Sequence, residues 1–271
     1  MIKIKPFLKW AGNKYRCLEH ILGSLPPANR FIEPFTGSAA IFLNVQYPDY
    51  LLAEANSDLV YLFQCLQADG ASFITFCEPF FSQANNCESQ YYLFRDKFNK
   101  STDRTERAAL FLYLNRHGYN GLCRYNQKGI YNVPFGRYIK PYFPRAEMTH
   151  FHHKSKQATF IHGDFRDTFA EANPGDIIYC DPPYAPLEQF SNFSSYTHTS
   201  FGEKEQIILA ELAMEAAGRG ITVAISNHDT PVTRQHYQHS HITSFPVMRS
   251  ISCRPENRGP VQELLAVFQS R

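Results

Sequence analysis

The chain has 271 residues, 44% hydrophobic and 19% charged, which suits one large α/β domain with or without an insertion. No apolar run approaches a membrane span, and Met1-Ile2-Lys3-Ile4-Lys5-Pro6 does not open a signal peptide, so no membrane association is expected. The net charge of +2 is uninformative, but the seven scattered cysteines, with no CxxC pair, argue against a disulfide framework or a zinc site and point to a reducing, cytoplasmic setting.

In chain order, the pattern predicts a helix over 14–22 and a strand over 30–33 that ends in Pro34-Phe35-Thr36-Gly37-Ser38. A helix over 39–45 comes next, then a strand over 50–54 closing on Glu54. Asn56 or Ser57 would cap the next helix. From there to about 115 the patterning is helical, clearest over 91–99 and 105–115. Gly118, Gly121, Gly129, Pro134, Gly136 and Pro141 punctuate 116–144, which reads as a loop or hairpin module. Strands resume over 158–162, 176–180, 221–226, 241–247 and 261–268, with one helix over 203–217. The polar stretch 185–200 is expected to be mobile. No internal repeat is present. The simplest architecture is one α/β domain, residues 1–55 and 146–271, interrupted by a helical and loop-rich insertion over 56–145.

The most informative motif is Asp181-Pro182-Pro183-Tyr184, placed directly after the apolar run 176–180. In open α/β sheets, sites form beyond the carboxyl ends of strands. The prolines fix φ, stiffen the turn and lack N–H groups, so its polar surface is dominated by carbonyls. A carboxylate and carbonyls beside a tyrosine ring suit a flat substrate with an exposed amino group. A second signal is charge distribution: from Arg107 to Ala146 there is no acid, while arginines and lysines alternate with rings. Arg116, Arg124, Lys128, Arg137 and Lys140 interleave with Tyr119, Tyr125, Tyr131, Phe135 and Tyr138. Positive charge, amides and rings together suit a surface that tracks a nucleic-acid backbone and meets bases.

Three strand ends add a nucleoside-shaped site. The Gly37 turn can bring a ligand near backbone N–H groups, Glu54 can accept from ribose hydroxyls, and Asp164 with Phe165 can bracket an adenine. The chain lacks a Walker-type glycine–lysine loop, which argues against a triphosphate. His236, His239 and His241 look superficially like a metal cluster but lack an acid or cysteine partner, so they are read as structural and no metal is expected.

Residues 7–14 (Phe7-Leu8-Lys9-Trp10-Ala11-Gly12-Asn13-Lys14), the Glu33-Pro34-Phe35 turn, 114–126, 132–136, 181–184 and 225–229 closely resemble, in order, the Dam DNA adenine-N6 methyltransferases. The resemblance spans nearly the whole chain and is closest to enterobacterial and phage members acting on GATC. It implies a Rossmann-like α/β fold with a mixed sheet, the S-adenosylmethionine-dependent methyltransferase fold, and identifies the insertion as a target-recognition module. It implies S-adenosyl-L-methionine as cofactor, held by Trp10, Lys14, Phe35, Gly37, Glu54, Asp164, Phe165 and Asp181. It implies double-stranded DNA as partner and a monomer as the acting form. Asp181 and Pro182 would accept from the adenine amine and Tyr184 would stack on the flipped base. Lys9 would meet the first base pair; Tyr119, Asn120, Leu122 and Arg124 would lie on the inserting hairpin, with Pro134 near the last base pair. Arg124 is the choice for guanine readout, because paired Arg–guanine hydrogen bonds are the commonest specific major-groove contact. Arg95, Arg116, Asn126, Asn132 and Arg137 are read as phosphate contacts. Two departures stand out: many members carry glycine where this chain has Ala39, and aspartate where it has Glu54. Cytosine-N4 methylation uses the same tetrapeptide and is the chemical alternative; a DNA-binding homologue impaired in catalysis is the other. Cytosine-C5 chemistry needs a Pro-Cys pair, which is absent, so Cys180 is read as strand packing.

Overall fold

The computed structural model describes residues 3–184, 201–248 and 260–270. The predicted mobile stretch 185–200 lies outside them. Seven strands form a mixed sheet in the order β3-β2-β1-β4-β5-β7-β6: β1 Arg30–Glu33, β2 Asp49–Glu54, β3 Ala158–His162, β4 Ile177–Cys180, β5 Thr222–His228, β6 His241–Met248 and β7 Pro260–Phe268. The α/β class is therefore the one observed, and each predicted strand exists. The chain divides into two compact units.

One unit comprises residues 16–35, 46–53 and 163–271. Here β1 pairs in parallel with β2 and with β4, and β4 with β5, while β7 runs antiparallel to both β5 and β6. All four residues of β4 are buried, as its unbroken apolar run predicts for a parallel strand covered on both faces. At the amino end of β4, Asp176 accepts from Arg30 Nε (3.2 Å) and Nη2 (2.8 Å), tying β4 to the start of β1. Helices α1 (Leu18–Leu22), α7 (Phe165–Ala170), α8 (Glu203–Gly218) and α9 (Pro231–His236) belong to this unit. The predicted helix over 14–22 is broken: a 3-10 turn at Lys14–Arg16 precedes α1.

The other unit comprises residues 1–15, 36–45 and 54–162. It holds α2 (Ser57–Asp69), α3 (Ala71–Cys77), α4 (Glu88–Lys100), α5 (Arg104–His117) and α6 (Arg145–Ser155). Asn56, of the two candidate caps, takes the position: its side chain accepts from the N–H groups of Asp58 and Leu59. Helix α5 is the centre of this unit, buried without interruption from Ala108 to Asn115. Beside it Phe7, Phe63, Phe151, Phe42 and Phe160 form one ring cluster with centroids 4.9–6.2 Å apart.

The helix expected over 39–45 is only a 3-10 turn at Phe42–Asn44. Ala39 has φ +60°, the left-handed region, which no α-helix admits. Asn44 then turns aside to bond both backbone groups of Ile4, at 2.8 and 2.9 Å. The helices that the predicted elements do not include are α6, α7 and α9. In α6 only Met148, Phe151 and Ser155 are buried, a stripe masked by its histidines. In α7, Asp164 and Asp167 make a capping box, a signal that competes with reading Asp164 as a ligand.

Candidate functional site

In the unit that holds β4, strand β1 has β2 on one side and β4 on the other, so the strand order reverses there. The carboxyl ends of β1 and β4, carrying Phe35 and Asp181, are the switch point where ligands bind in such sheets. Phe35 stacks on Phe165 with centroids 5.5 Å apart and planes 28° from parallel, and Phe201 stands edge-on to Phe35 and tilted against Phe165. A purine would therefore lie against this ring group rather than slot between Phe35 and Phe165. Asp164 caps α7 through Arg166 N (2.9 Å) and pairs with the Arg166 guanidinium, so it is already engaged within its own turn.

The Asp181-Pro182-Pro183-Tyr184 turn is seated from two sides. Gln206, buried on α8, donates through Nε2 to the Pro183 carbonyl at 2.8 Å. Its Oε1 accepts from Asn227 Nδ2 (3.0 Å) and from the Tyr237 hydroxyl (3.4 Å), so neighbours on β5 and after α9 fix which way the amide points. On the other side the Tyr184 hydroxyl donates to Glu263 at 3.0 Å, and its ring meets His228 edge to face at 4.7 Å. His228 and Glu263 are directly opposite one another in the β5/β7 register, so antiparallel pairing builds the seat. Burial, then the Asp181 and Glu263 charges, push the Tyr184 phenol well above its ordinary range. It stays a neutral donor. The same burial and Asp181 raise the Cys180 thiol, which agrees with its reading as packing and not a nucleophile.

In the other unit, Glu54 accepts from Gly37 N at 3.0 Å and Asn56 N at 3.1 Å. Burial raises its carboxyl above the usual range, and these N–H bonds partly oppose that. The Gly37 N–H expected to face a ligand is thus taken up by Glu54. Gly37 itself has φ +48°, and a Cβ there would come 2.9 Å from Trp10 Nε1, so only glycine leaves the indole in place. Lys14 is buried and donates to the Gly12 carbonyl at 2.7 Å. An indole, a tight glycine turn and a carboxylate with lone pairs left over fit the ribose part of a nucleoside. In the β4 unit, the Phe35 ring group can take a flat aromatic group, and the Asp181 carboxylate can accept from an amine.

The predicted DNA residues also belong to the unit holding Glu54. Residues 118–135 form a hairpin with only two backbone bridges, Gly118 to Phe135 and Tyr125 to Tyr131. Tyr119, Asn120, Arg124, Asn126, Pro134 and Arg137 are exposed along it, and Leu122 is half-buried. Lys9 sits at its base: Nζ donates to the Arg116 carbonyl (3.3 Å) and lies 3.7 Å above the Tyr138 ring. Burial, then Arg116, lowers its pKa to about 8. A side chain at Gly121 would overlap Lys9, which explains a glycine there. Arg95 donates to the Val133 carbonyl at 3.1 Å and Arg116 to the Tyr142 carbonyl at 3.1 Å, so each is oriented by backbone and not free to range. Arg137 reaches Glu88 at 3.7 Å. Asn126 closes the hairpin tip by accepting from Lys128 N and Ile130 N.

The anchors of this hairpin carry no sequence signal. Asp58 on α2 binds Arg107 through Nε (2.5 Å) and Nη2 (3.1 Å) and accepts from the Tyr125 hydroxyl at 2.6 Å. Asn56 Nδ2 also donates to Cys123 Sγ at 3.2 Å. Both neighbours of Arg124 are therefore pinned to the first turn of α2. Gln206, Glu263 and Phe201 are equally absent from the sequence-based site. Each is far in sequence from the residue it serves, and no local pattern marks it.

The family model for D12-class N6 adenine-specific DNA methyltransferases matches residues 10–251. Proteins named DNA adenine methylase from Escherichia coli (strain K12) and Serratia marcescens are each 46% identical to the chain, over 269 and 270 residues. These alignments cover 99% of the chain and 97% and 100% of those proteins. The protein of that name from Haemophilus influenzae is 46% identical over 273 residues, covering all of the chain and 96% of that relative.

Proposed function

Since the chain belongs to the D12-class N6 adenine-specific DNA methyltransferases, and is thus an enzyme that methylates adenine N6 in DNA, we propose that it acts on GATC with S-adenosyl-L-methionine as donor. The observation that carries the chemical part is the Asp181 turn, held rigidly at the carboxyl end of β4 by Gln206 and Glu263.

S-adenosyl-L-methionine supplies an electrophilic methyl group on sulfur. Trp10, Lys14, Phe35, Gly37, Glu54, Asp164, Phe165 and Asp181 would hold it, Glu54 taking the ribose hydroxyls with one methylene more than aspartate. The adenine amine is a poor nucleophile because its lone pair is delocalised into the ring. Its two N–H groups donating to the Asp181 carboxylate and the Pro182 carbonyl localise that pair on nitrogen. No covalent enzyme intermediate is required, and most of the rate comes from positioning and electrostatics. The base must leave the duplex to reach these groups, and Tyr184 gives it a ring to stack on.

On the DNA side, Lys9 and Pro134 would meet the outer base pairs, Leu122 a thymine methyl and Arg124 a guanine, with Tyr119 and Asn120 near the vacated stack. Arg95, Arg116, Asn126 and Arg137 would position the backbone. We assign target recognition to residues 56–145 and cofactor binding to 1–55 and 146–271, acting as a cytoplasmic monomer. Methyl transfer to duplexes differing only in GATC tests the reading: label confined to the GATC duplex, recovered as N6-methyladenine, is expected. Equal labelling of both duplexes ends the site assignment, and N4-methylcytosine ends the base assignment.

A further inference from the structure

Asn132 is the residue whose placement departs most from a simple phosphate contact. Arg124 Nε donates to Asn132 Oδ1 at 2.7 Å, and Arg124 Nη2 donates to the Asn132 backbone carbonyl at 3.2 Å. Asn132 N returns a bond to the Arg124 carbonyl at 3.1 Å. The guanidinium offers only donors, so the amide must turn its oxygen towards Arg124. One edge of the guanidinium, Nε together with one Nη2 hydrogen, is occupied. The outer edge, formed by Nη1 and the second Nη2 hydrogen, points away from Asn132 and is the one left to meet two acceptors at once. Guanine O6 and N7 are such a pair.

The backbone beneath is fixed independently. Cys123 is held by Asn56, and Tyr125 by Asp58. An exposed arginine on a hairpin with two backbone bridges would otherwise sample many rotamers and lose that freedom on binding. We propose that Asn132 is a specificity-determining positioning residue: it presents the outer edge of Arg124 to guanine and makes recognition at that base pair sharp. The inference rests on the reading of Arg124 as the guanine contact.

The test compares Asn132→Ala, Asn132→Asp and Arg124→Ala with wild type. The readouts are kcat/KM on GATC duplexes with each base pair replaced in turn, and the salt dependence of binding. Arg124→Ala identifies the base pair that it reads. Asn132→Ala should cut discrimination at that same pair by about five- to tenfold. Ratios at the other pairs and the slope of log affinity against log salt should stay as in wild type. Asn132→Asp keeps the acceptor and should restore the discrimination. If Asn132→Ala keeps full discrimination while the salt slope falls by about one, Asn132 is a phosphate contact and the proposal fails. If Arg124→Ala itself discriminates like wild type, the reading of Arg124 fails first, and the proposal with it. Matched thermal melts of the variants exclude loss of folding as the cause.

Discussion

The catalytic turn and the reading hairpin are held by opposite means. Asp181 to Tyr184 come directly after a fully buried strand, contain two prolines, and are fixed by side chains that are mostly uncharged: Gln206, Asn227 and Tyr237, with Glu263 taking the tyrosine hydroxyl. The hairpin has only two backbone bridges and depends on a partly buried ion pair, Asp58 with Arg107, on Asn99 of α4, which accepts from Tyr131 N, and on the bonds between Arg124 and Asn132 across its strands. The difference teaches where each property resides. Chemistry needs a fixed geometry and takes it from regular structure. Recognition needs exposed, correctly aimed side chains and takes their aim from a few long-range polar contacts.

Four experiments break or sharpen that contrast, in falling order of effect. Asp181→Ala should reduce single-turnover methyl transfer by at least about a thousandfold, with the melting transition kept. Asp58→Ala leaves Arg107 half-buried without its acid and frees Tyr125; it should destabilise the protein by about 3–5 kcal/mol in denaturant titration. A loss confined to a few tenths would show that the hairpin stands without this anchor. Gln206→Met fills the same space but abandons the Pro183 carbonyl and the Asn227 amide, costing about 1–3 kcal/mol. It should lower kcat with little change in KM for DNA; the reverse pattern would mean that Gln206 does not hold the catalytic turn.

The smallest effect is a pH response. Lys9 titrates near 8 when folded against 10.5 unperturbed, so the folded protein holds its proton less tightly. Stability from this group rises as pH climbs from about 8 to 10.5. DNA affinity moves the other way: it should fall by under about 1 kcal/mol as pH rises through 8 and the cation is lost. Lys9→Arg should flatten that profile; an unchanged profile would remove Lys9 from the DNA contact.

Much of this is legible in the sequence because the signals are local. A run such as Ile177 to Cys180 reads as a buried strand from its own residues, and Asp181 is then marked as a strand end. The cap at Asn56 and the punctuated hairpin are equally local. The helix over 39–45 fails for a different reason. Its residues are apolar enough, but Ala39 takes a left-handed backbone and Asn44 bonds the distant Ile4. Asp164 shows how one residue can carry two signals: from the sequence it is read as a cofactor ligand, and the fold also uses its carboxylate to cap α7.

The sequence by itself determined the succession of strands along the chain, the places where chemistry-bearing residues leave the sheet, and the basic stretch without acids. Those depend on hydrophobic period and backbone stiffness, which act over a few residues. Only the tertiary structure decided that Gln206 aims the Pro183 carbonyl, that His228 and Glu263 seat Tyr184, and that Asn132 takes one edge of Arg124 and leaves the other. A hydrogen bond needs its partners within about 3.5 Å and suitably angled. That condition is set by sheet register and helix packing between distant segments, and no short window of sequence contains it.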